Sequence, residues 1–118
     1  MARILVVDDA ELVRMRVAYI LKSLNHEIVE ADNGVMAVEL FKLKKPDLVI
    51  LDITMPLKDG LDALKDIMLV NKNAKVIMLT NIGDQHTIIE ALEAGAIDYI
   101  IKPIQEDVLK KAVQKIFA

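Results

Sequence analysis

The chain of 118 residues contains no cysteine, which excludes disulfide bridges, thiolate zinc sites and thiol catalysis. Aromatic residues make up only 3% of it, so a surface on which nucleic-acid bases stack is not expected. No hydrophobic run approaches the roughly 20 apolar residues that a membrane helix needs. The apolar run near the N-terminus ends at Asp8 and is too short for the core of a signal peptide. We therefore expect a cytoplasmic protein that does not bind membranes.

The charge balance also narrows the function. The formal net charge is −3, and the sequence contains no basic block of the kind that binds phosphate backbones. Direct contact with nucleic acid is therefore not expected. A chain of this length fits one domain and buries about two thirds of its unfolded surface, enough for a core of its own. We expect a single domain over residues 1–118.

Short apolar runs alternate with longer amphipathic stretches along the whole chain. Five alternations of strand and helix predict a parallel sheet with helices on both faces. The second strand contains two glutamates, which favour an edge position. The predicted strands are 4–7, 27–31, 48–51, 76–79 and 98–101, and the predicted helices are about 11–24, 35–44, a third marked by Leu61, Leu64 and Ile67, then 85–94 and 105–116.

Chemically active side chains follow four of these strands. Asp8 and Asp9 follow the first strand, Asp52 the third, Thr80 the fourth and Lys102 the fifth. Ligands of open parallel α/β sheets bind at the carboxyl ends of the strands. We therefore expect three acids, a hydroxyl and an ammonium to meet at one edge of the sheet.

Three carboxylates in one place repel each other unless a cation lies among them. A site of oxygen ligands without histidine or cysteine favours a hard ion, and Mg²⁺ is the usual one where phosphoryl groups react. A carboxylate can act as a nucleophile toward phosphorus, while a metal and an ammonium neutralise the charge on the transferring group. The residues alone therefore predict phosphoryl transfer to an aspartate.

A set of short motifs occurs in order along the whole chain. They are Asp8-Asp9, Asp52-Ile53-Thr54-Met55-Pro56, Asp59-Gly60, Thr80, and Tyr99 followed by Lys102-Pro103. With these motifs the chain resembles the receiver domains of two-component response regulators. The resemblance implies a flavodoxin-like (βα)5 fold with strand order 2-1-3-4-5. It also implies a stand-alone signalling switch, not a conventional enzyme.

The resemblance implies a role for each acid. Asp52 is expected to be the phosphoacceptor. Asp9 is expected to bind Mg²⁺ directly and Asp8 mainly through water, with Asp52 and the backbone carbonyl of Thr54 as further ligands. Mn²⁺ could substitute for Mg²⁺.

The resemblance also implies how the switch works. Lys102 is expected to pair with a phosphoryl oxygen, Thr80 to turn its hydroxyl toward the phosphoryl group, and Tyr99 to follow into the vacated space. The Lys102-Pro103 peptide is expected to be cis. The output surface is expected on the fourth helix, fifth strand and fifth helix. There Ile89 lies off the apolar stripe through Ile88 and Leu92 and is expected to be exposed.

The implied partners are a sensor histidine kinase or phosphotransfer protein, and a downstream protein target such as a flagellar motor switch protein. A monomer is expected, with dimerisation on phosphorylation left open. Three residues depart from the family pattern. Asn81 replaces a small residue and could narrow access to Asp52. Thr54 and Ile82 offer no acid or amide to hold an attacking water, which predicts slow self-dephosphorylation that Ile82→Glu should accelerate.

Other interpretations remain open at this stage. Each polar residue could have a purely structural role, such as helix capping by Asp8 or Asp9. A haloacid-dehalogenase type of enzyme would require a second acid at Thr54. A flavin-binding protein would not place acids after the first strand, where a phosphate binds. A phosphorelay intermediate, a receiver belonging to a longer regulator, or a degenerate receiver that only binds partners are further alternatives.

Overall fold

The computed structural model describes residues 1–81 and 85–118. Five parallel strands form one sheet in the order β2-β1-β3-β4-β5, which confirms the predicted fold. The strands are β1 (Arg3–Val7), β2 (Glu27–Ala31), β3 (Leu48–Asp52), β4 (Val76–Thr80) and β5 (Asp98–Ile101). The helices are α1 (Glu11–Lys22), α2 (Gly34–Lys44), α3 (Gly60–Val70), α4 (Gln85–Glu93) and α5 (Glu106–Ile116).

The apolar runs of the central strands lie between two hydrophobic layers. Successive residues of a strand point to opposite faces, so Leu5 and Val7 join the layer under α2 and α3, whereas Ile4 and Val6 join the layer under α1 and α5. Continuous apolar runs are typical of strands that are covered on both faces. Strand β2 is at the edge, as its glutamates predicted, because an edge strand can expose charged side chains to water.

Two helices begin within one residue of their predicted positions, and the structure explains the differences. Helix α2 begins at Gly34 because the Asn33 side chain accepts a hydrogen bond from the Met36 N–H (2.8 Å) and caps the helix. The sequence predicted that this helix begins at residue 35. Helix α5 begins at Glu106, and Gln105 precedes it in extended conformation.

One predicted apolar stripe is partly wrong. On α4 the sequence placed Leu92 toward the core, but Leu92 is 41% exposed and Ala91 is buried instead. A small residue lets this short helix lie close to the sheet, so the larger neighbour is left at the edge of the contact. Ile89 is 54% exposed, as expected.

Two special backbone conformations flank β5, and the sequence predicted the second of them. Gly95 has a φ of +119°, a conformation that favours glycine just beyond a helix end. The Lys102-Pro103 peptide is cis. Within residues 1–81 and 85–118, none of the helices has the length and apolar character that crossing a bilayer requires.

Candidate metal and phosphorylation site

The pairing of the strands brings the predicted polar residues to one edge of the sheet. Val7 lies opposite Leu51, so Asp8 follows β1 at the level where Asp52 ends β3. Asp52 lies opposite Leu79, so Thr80 comes one residue later on β4. The sequence thus positions these side chains through strand register alone.

Three carboxylates form a cluster at this edge. Asp8, Asp9 and Asp52 each offer an oxygen, and these oxygens lie within 4.8 Å of one another. Asp8 is fully buried, Asp52 is 4% exposed and Asp9 is open to solvent. The arrangement thus has two buried acids and one acid on the side from which an ion can enter.

Asp8 shows how this cluster is held. Its Oδ1 accepts a hydrogen bond from the Ala10 N–H (2.9 Å), which closes a turn before α1. The alternative that Asp8 caps α1 is wrong, because the N-cap of this helix is Ala10 and no side chain caps it. Its Oδ2 lies 2.8 Å from Lys102 Nζ in an ion pair. Among the described residues this buried oxygen has no hydrogen-bond partner. A buried carboxylate oxygen is costly unless positive charge or water lies beside it, and the Lys102 ammonium supplies part of that charge.

Lys102 bridges the two buried acids. Its Nζ donates a hydrogen bond to Asp52 Oδ1 (3.0 Å) and lies beside Asp8. Burial alone would lower the pKa of Lys102, but the carboxylates of Asp8 and Asp52 outweigh it and raise that pKa above its ordinary value. The ammonium is therefore charged at neutral pH and partly balances the cluster.

The titration of Asp52 is perturbed by its surroundings. Loss of solvation on burial raises its pKa to about 6 from 3.8, and the charges of Asp8 and Asp9 act in the same direction. The hydrogen bond from Lys102 opposes this shift. In the absence of a metal the site therefore disfavours the ionised carboxylate, and a bound cation would restore it.

The remaining predicted residues lie around this cluster. Thr80 is buried, and its hydroxyl donates to the Asn81 carbonyl (3.3 Å). The Thr54 side chain is exposed, two residues beyond Asp52. Tyr99 on β5 is exposed. The roles of the Thr54 carbonyl, Thr80 and Tyr99 stay predictions, and Ile82 lies outside the described residues.

Two glycines beside the site have roles that the sequence did not reveal. A Cβ added to Gly60 would lie 1.9 Å from the Asp52 carbonyl oxygen, and one added to Gly34 would lie 2.0 Å from the Lys58 carbonyl oxygen. Gly60 was visible as part of the Asp59-Gly60 motif. Gly34 had no such signal, because its contact joins segments 24 residues apart.

Comparison with protein families decides the assignment. The family model described as the response regulator receiver domain matches residues 4–114. The chain belongs to this family. This receiver is therefore a phosphorylation-activated signalling switch and not a classical enzyme, which confirms the resemblance inferred from its motifs.

Curated relatives agree with the family. The receiver is 47% identical to the chemotaxis protein CheY of Bacillus subtilis over 96% of this chain and 95% of that protein. It is 45% identical to the chemotaxis protein CheY of Thermotoga maritima over 97% of this chain and 96% of that protein.

Solved structures share the fold. The receiver domain of NtrX from Brucella abortus matches with a TM-score of 0.91 and 34% identity, covering 96% of both chains. A complex described as CheX-CheY-BeF3-Mg²⁺ from Borrelia burgdorferi matches with a TM-score of 0.92 and 34% identity, covering 98% of this chain and 89% of that chain.

Proposed function

We propose that the receiver accepts a phosphoryl group on Asp52 from a phosphohistidine of a sensor kinase or phosphotransfer protein. The observation that carries this proposal is the pairing of Asp52 with Lys102 inside a cluster of three carboxylates. The buried Asp52 carboxylate has one oxygen held by an ammonium and lies where further positive charge can bind. Residues 1–118 act as one receiver domain.

The chemistry conserves charge and atoms. A carboxylate oxygen of Asp52 forms a bond to phosphorus, while the bond from phosphorus to the imidazole nitrogen of the donor breaks. The electron pair of that bond leaves with the imidazole, which is neutral when its other nitrogen carries a proton. Lys102 stabilises the charge on the phosphoryl oxygens, and the Thr80 hydroxyl donates a hydrogen bond to one of them.

The residues present fit Mg²⁺. The donor set consists only of oxygens, which hard cations prefer. Asp8 Oδ2 pairs with Lys102 but has no assigned hydrogen bond among the described residues, so it could accept one from a water of a hydrated ion. Asp9, Asp52 and the Thr54 carbonyl would hold the ion directly, with Asp8 acting through water. When bound, Mg²⁺ neutralises charge on the phosphoryl oxygens, and Mn²⁺ could substitute.

Phosphorylation is proposed to act on a surface formed by α4, β5 and α5. Five large apolar side chains of this surface are exposed, namely Ile89, Leu92, Tyr99, Ile101 and Val108. An exposed apolar surface of this kind suits a protein partner. The similarity to chemotaxis proteins favours a target in motility control, whereas a phosphorelay role or a longer regulator is less favoured. No direct contact with nucleic acid or membrane is proposed.

The test is incubation with a small phosphodonor and Mg²⁺, followed by intact-mass measurement. We expect the mass of one added phosphoryl group, lost on treatment with hydroxylamine, which cleaves acyl phosphates. Asp52→Asn should abolish the gain, and Asp62→Asn, an exposed acid on α3, should leave it intact. A full gain of mass in Asp52→Asn would refute the assignment, and no gain in the unmodified protein would favour a degenerate receiver.

The lifetime of the phosphorylated form is the second measurable feature. Self-dephosphorylation needs a water that attacks phosphorus while the bond to Asp52 breaks and inorganic phosphate leaves. Thr54 and Ile82 lack the acid or amide that would orient this water, so we propose slow decay in the presence of Mg²⁺. Ile82→Glu should accelerate it, and an unchanged rate would remove the idea.

A further inference from the structure

The loop between β3 and α3, residues 53–59, is held by backbone contacts at its base. The Gly60 N–H donates to the Ile53 carbonyl (2.6 Å), and the Gly60 Cα lies so close to the Asp52 carbonyl that no side chain fits there. These two contacts close the loop directly beside the proposed phosphoacceptor. They do not determine where its middle lies.

The middle of the loop has an unfavourable conformation. Leu57 has a φ of +68°, which is rare for a residue with a Cβ, and its side chain is 82% exposed. The Lys58 N–H donates to the Pro56 carbonyl (2.8 Å), which makes a tight three-residue turn at Leu57. Because the Leu57 side chain gains little from burial, contacts elsewhere must stabilise this turn.

One contact with this turn comes from the start of α2. A Cβ on Gly34 would lie 2.0 Å from the Lys58 carbonyl oxygen and 2.8 Å from the Lys58 Cβ. The first of these neighbours is backbone and cannot move aside as a flexible side chain can. The Asn33 cap holds the start of α2 in place, so Gly34 gives the loop a fixed surface to pack against.

We propose that Gly34 is a positioning residue for the metal and phosphorylation site, acting through its contact with Lys58 to fix residues 53–59. The inference rests on the proposed function, since the Thr54 carbonyl on this loop is a proposed metal ligand. A side chain at position 34 displaces the loop, moves that carbonyl and weakens Mg²⁺ binding. Outer contacts that orient metal ligands typically change metal affinity by about 10–100-fold when they are removed.

The experiment compares Gly34→Ala with Gly95→Ala. A Cβ on Gly95 would lie 2.8 Å from the flexible end of the Met68 side chain, and Gly95 has a positive φ that a Cβ strains, but it precedes β5 at the opposite end of the sheet. Both variants should lose stability in urea denaturation. Isothermal titration with MgCl₂ should show affinity at least about 10-fold weaker for Gly34→Ala and unchanged for Gly95→Ala.

The outcomes separate this inference from the function on which it rests. If the unmodified protein binds Mg²⁺ and Gly34→Ala binds it equally well, Gly34 is merely structural and the inference is wrong. If the unmodified protein binds no Mg²⁺, the proposed metal site itself fails. If Gly34→Ala does not fold, amide NMR of the unmodified protein provides the test. Adding Mg²⁺ should shift the Gly34 and Lys58 resonances but not the Gly95 resonance. Unshifted Gly34 and Lys58 resonances would overturn the inference.

Discussion

Replacing Asp52 by asparagine should make the metal-free protein more stable at neutral pH, although it removes the proposed phosphoacceptor. The unfolded chain ionises Asp52 near pH 3.8, whereas the folded protein does so only near pH 6 because the carboxylate is buried and close to Asp8. The folded state therefore binds more protons between these values, and stability falls as the pH rises through this window.

The magnitude follows from the same shift. A difference of about two pKa units corresponds to roughly 3 kcal/mol of destabilisation at pH 7 that a neutral amide does not incur. Asn keeps the shape of the protonated acid, so Asp52→Asn should gain about 2–3 kcal/mol, or on the order of 10 °C in Tm for a chain of this size. The gain should shrink toward zero near pH 4, where Asp52 is mostly protonated in the folded protein.

Urea denaturation in a chelator at pH 7, 6, 5 and 4 measures this gain. The exposed Asp62→Asn serves as the control and should show no pH-dependent gain of this size. The same excess of Mg²⁺ should stabilise the unmodified protein more than Asp52→Asn, because a ligand of the folded state adds stability that grows with the logarithm of its concentration relative to its Kd, and the loss of a proposed metal ligand raises that Kd. A variant less stable than the unmodified protein at pH 7, or a gain that does not change between pH 7 and 4, would refute the argument.

Three further substitutions test other contacts. Lys102→Met removes the ammonium between two buried acids, so it should lower the free energy of unfolding in chelator by roughly 2–4 kcal/mol. It should also slow phosphorylation. An unchanged urea midpoint would contradict the bridging role of Lys102. Leu57→Gly should be neutral or stabilising by up to about 1 kcal/mol because it relieves a positive φ. Tyr19 is similarly exposed but lies within α1, so Tyr19→Gly should cost about 0.5–1 kcal/mol. Equal losses in the two variants would argue against strain at Leu57. Asn33→Ala should cost about 1 kcal/mol by removing the cap on the Met36 N–H. An unchanged Tm in thermal unfolding would contradict this cap.

The fold was predictable because its signals are local. Each central strand is a short apolar run closed by a polar residue, and strand β2 shows its edge position through Glu27 and Glu30. Parallel pairing then places the residues after each run at one edge without further information. This is why the cluster of Asp8, Asp9 and Asp52 could be anticipated before any coordinates.

The parts that sequence could not predict depend on distant contacts. Helical periodicity on α4 identifies an apolar arc, but only packing against the sheet decides that Ala91 and not Leu92 touches the core. Likewise, Gly34 reads as a turn residue in isolation, and its meaning comes from Lys58, which approaches it from another loop. The positive φ of Leu57 has no local signal at all, since leucine does not favour that conformation.

Lys102 connects the site to the proposed output surface. Its ammonium bridges Asp8 and Asp52, and its backbone N–H donates to the Thr80 carbonyl (2.7 Å), so the ends of β4 and β5 are joined at this residue. A phosphoryl group adds roughly −1.5 to −2 charges and three acceptor oxygens beside the ammonium.

We expect the ammonium to divide its contacts between Asp8 and the new oxygens, and we propose that its displacement is transmitted along β5. Tyr99 and Ile101 alternate with buried Ile100 on this strand and are exposed. A near-complete change of state requires a differential of about 5.5 kcal/mol. One phosphoryl group can supply that only if several of these contacts change together, so we propose that β5, which Lys102 and Thr80 join to the site, is an element on which the switch depends.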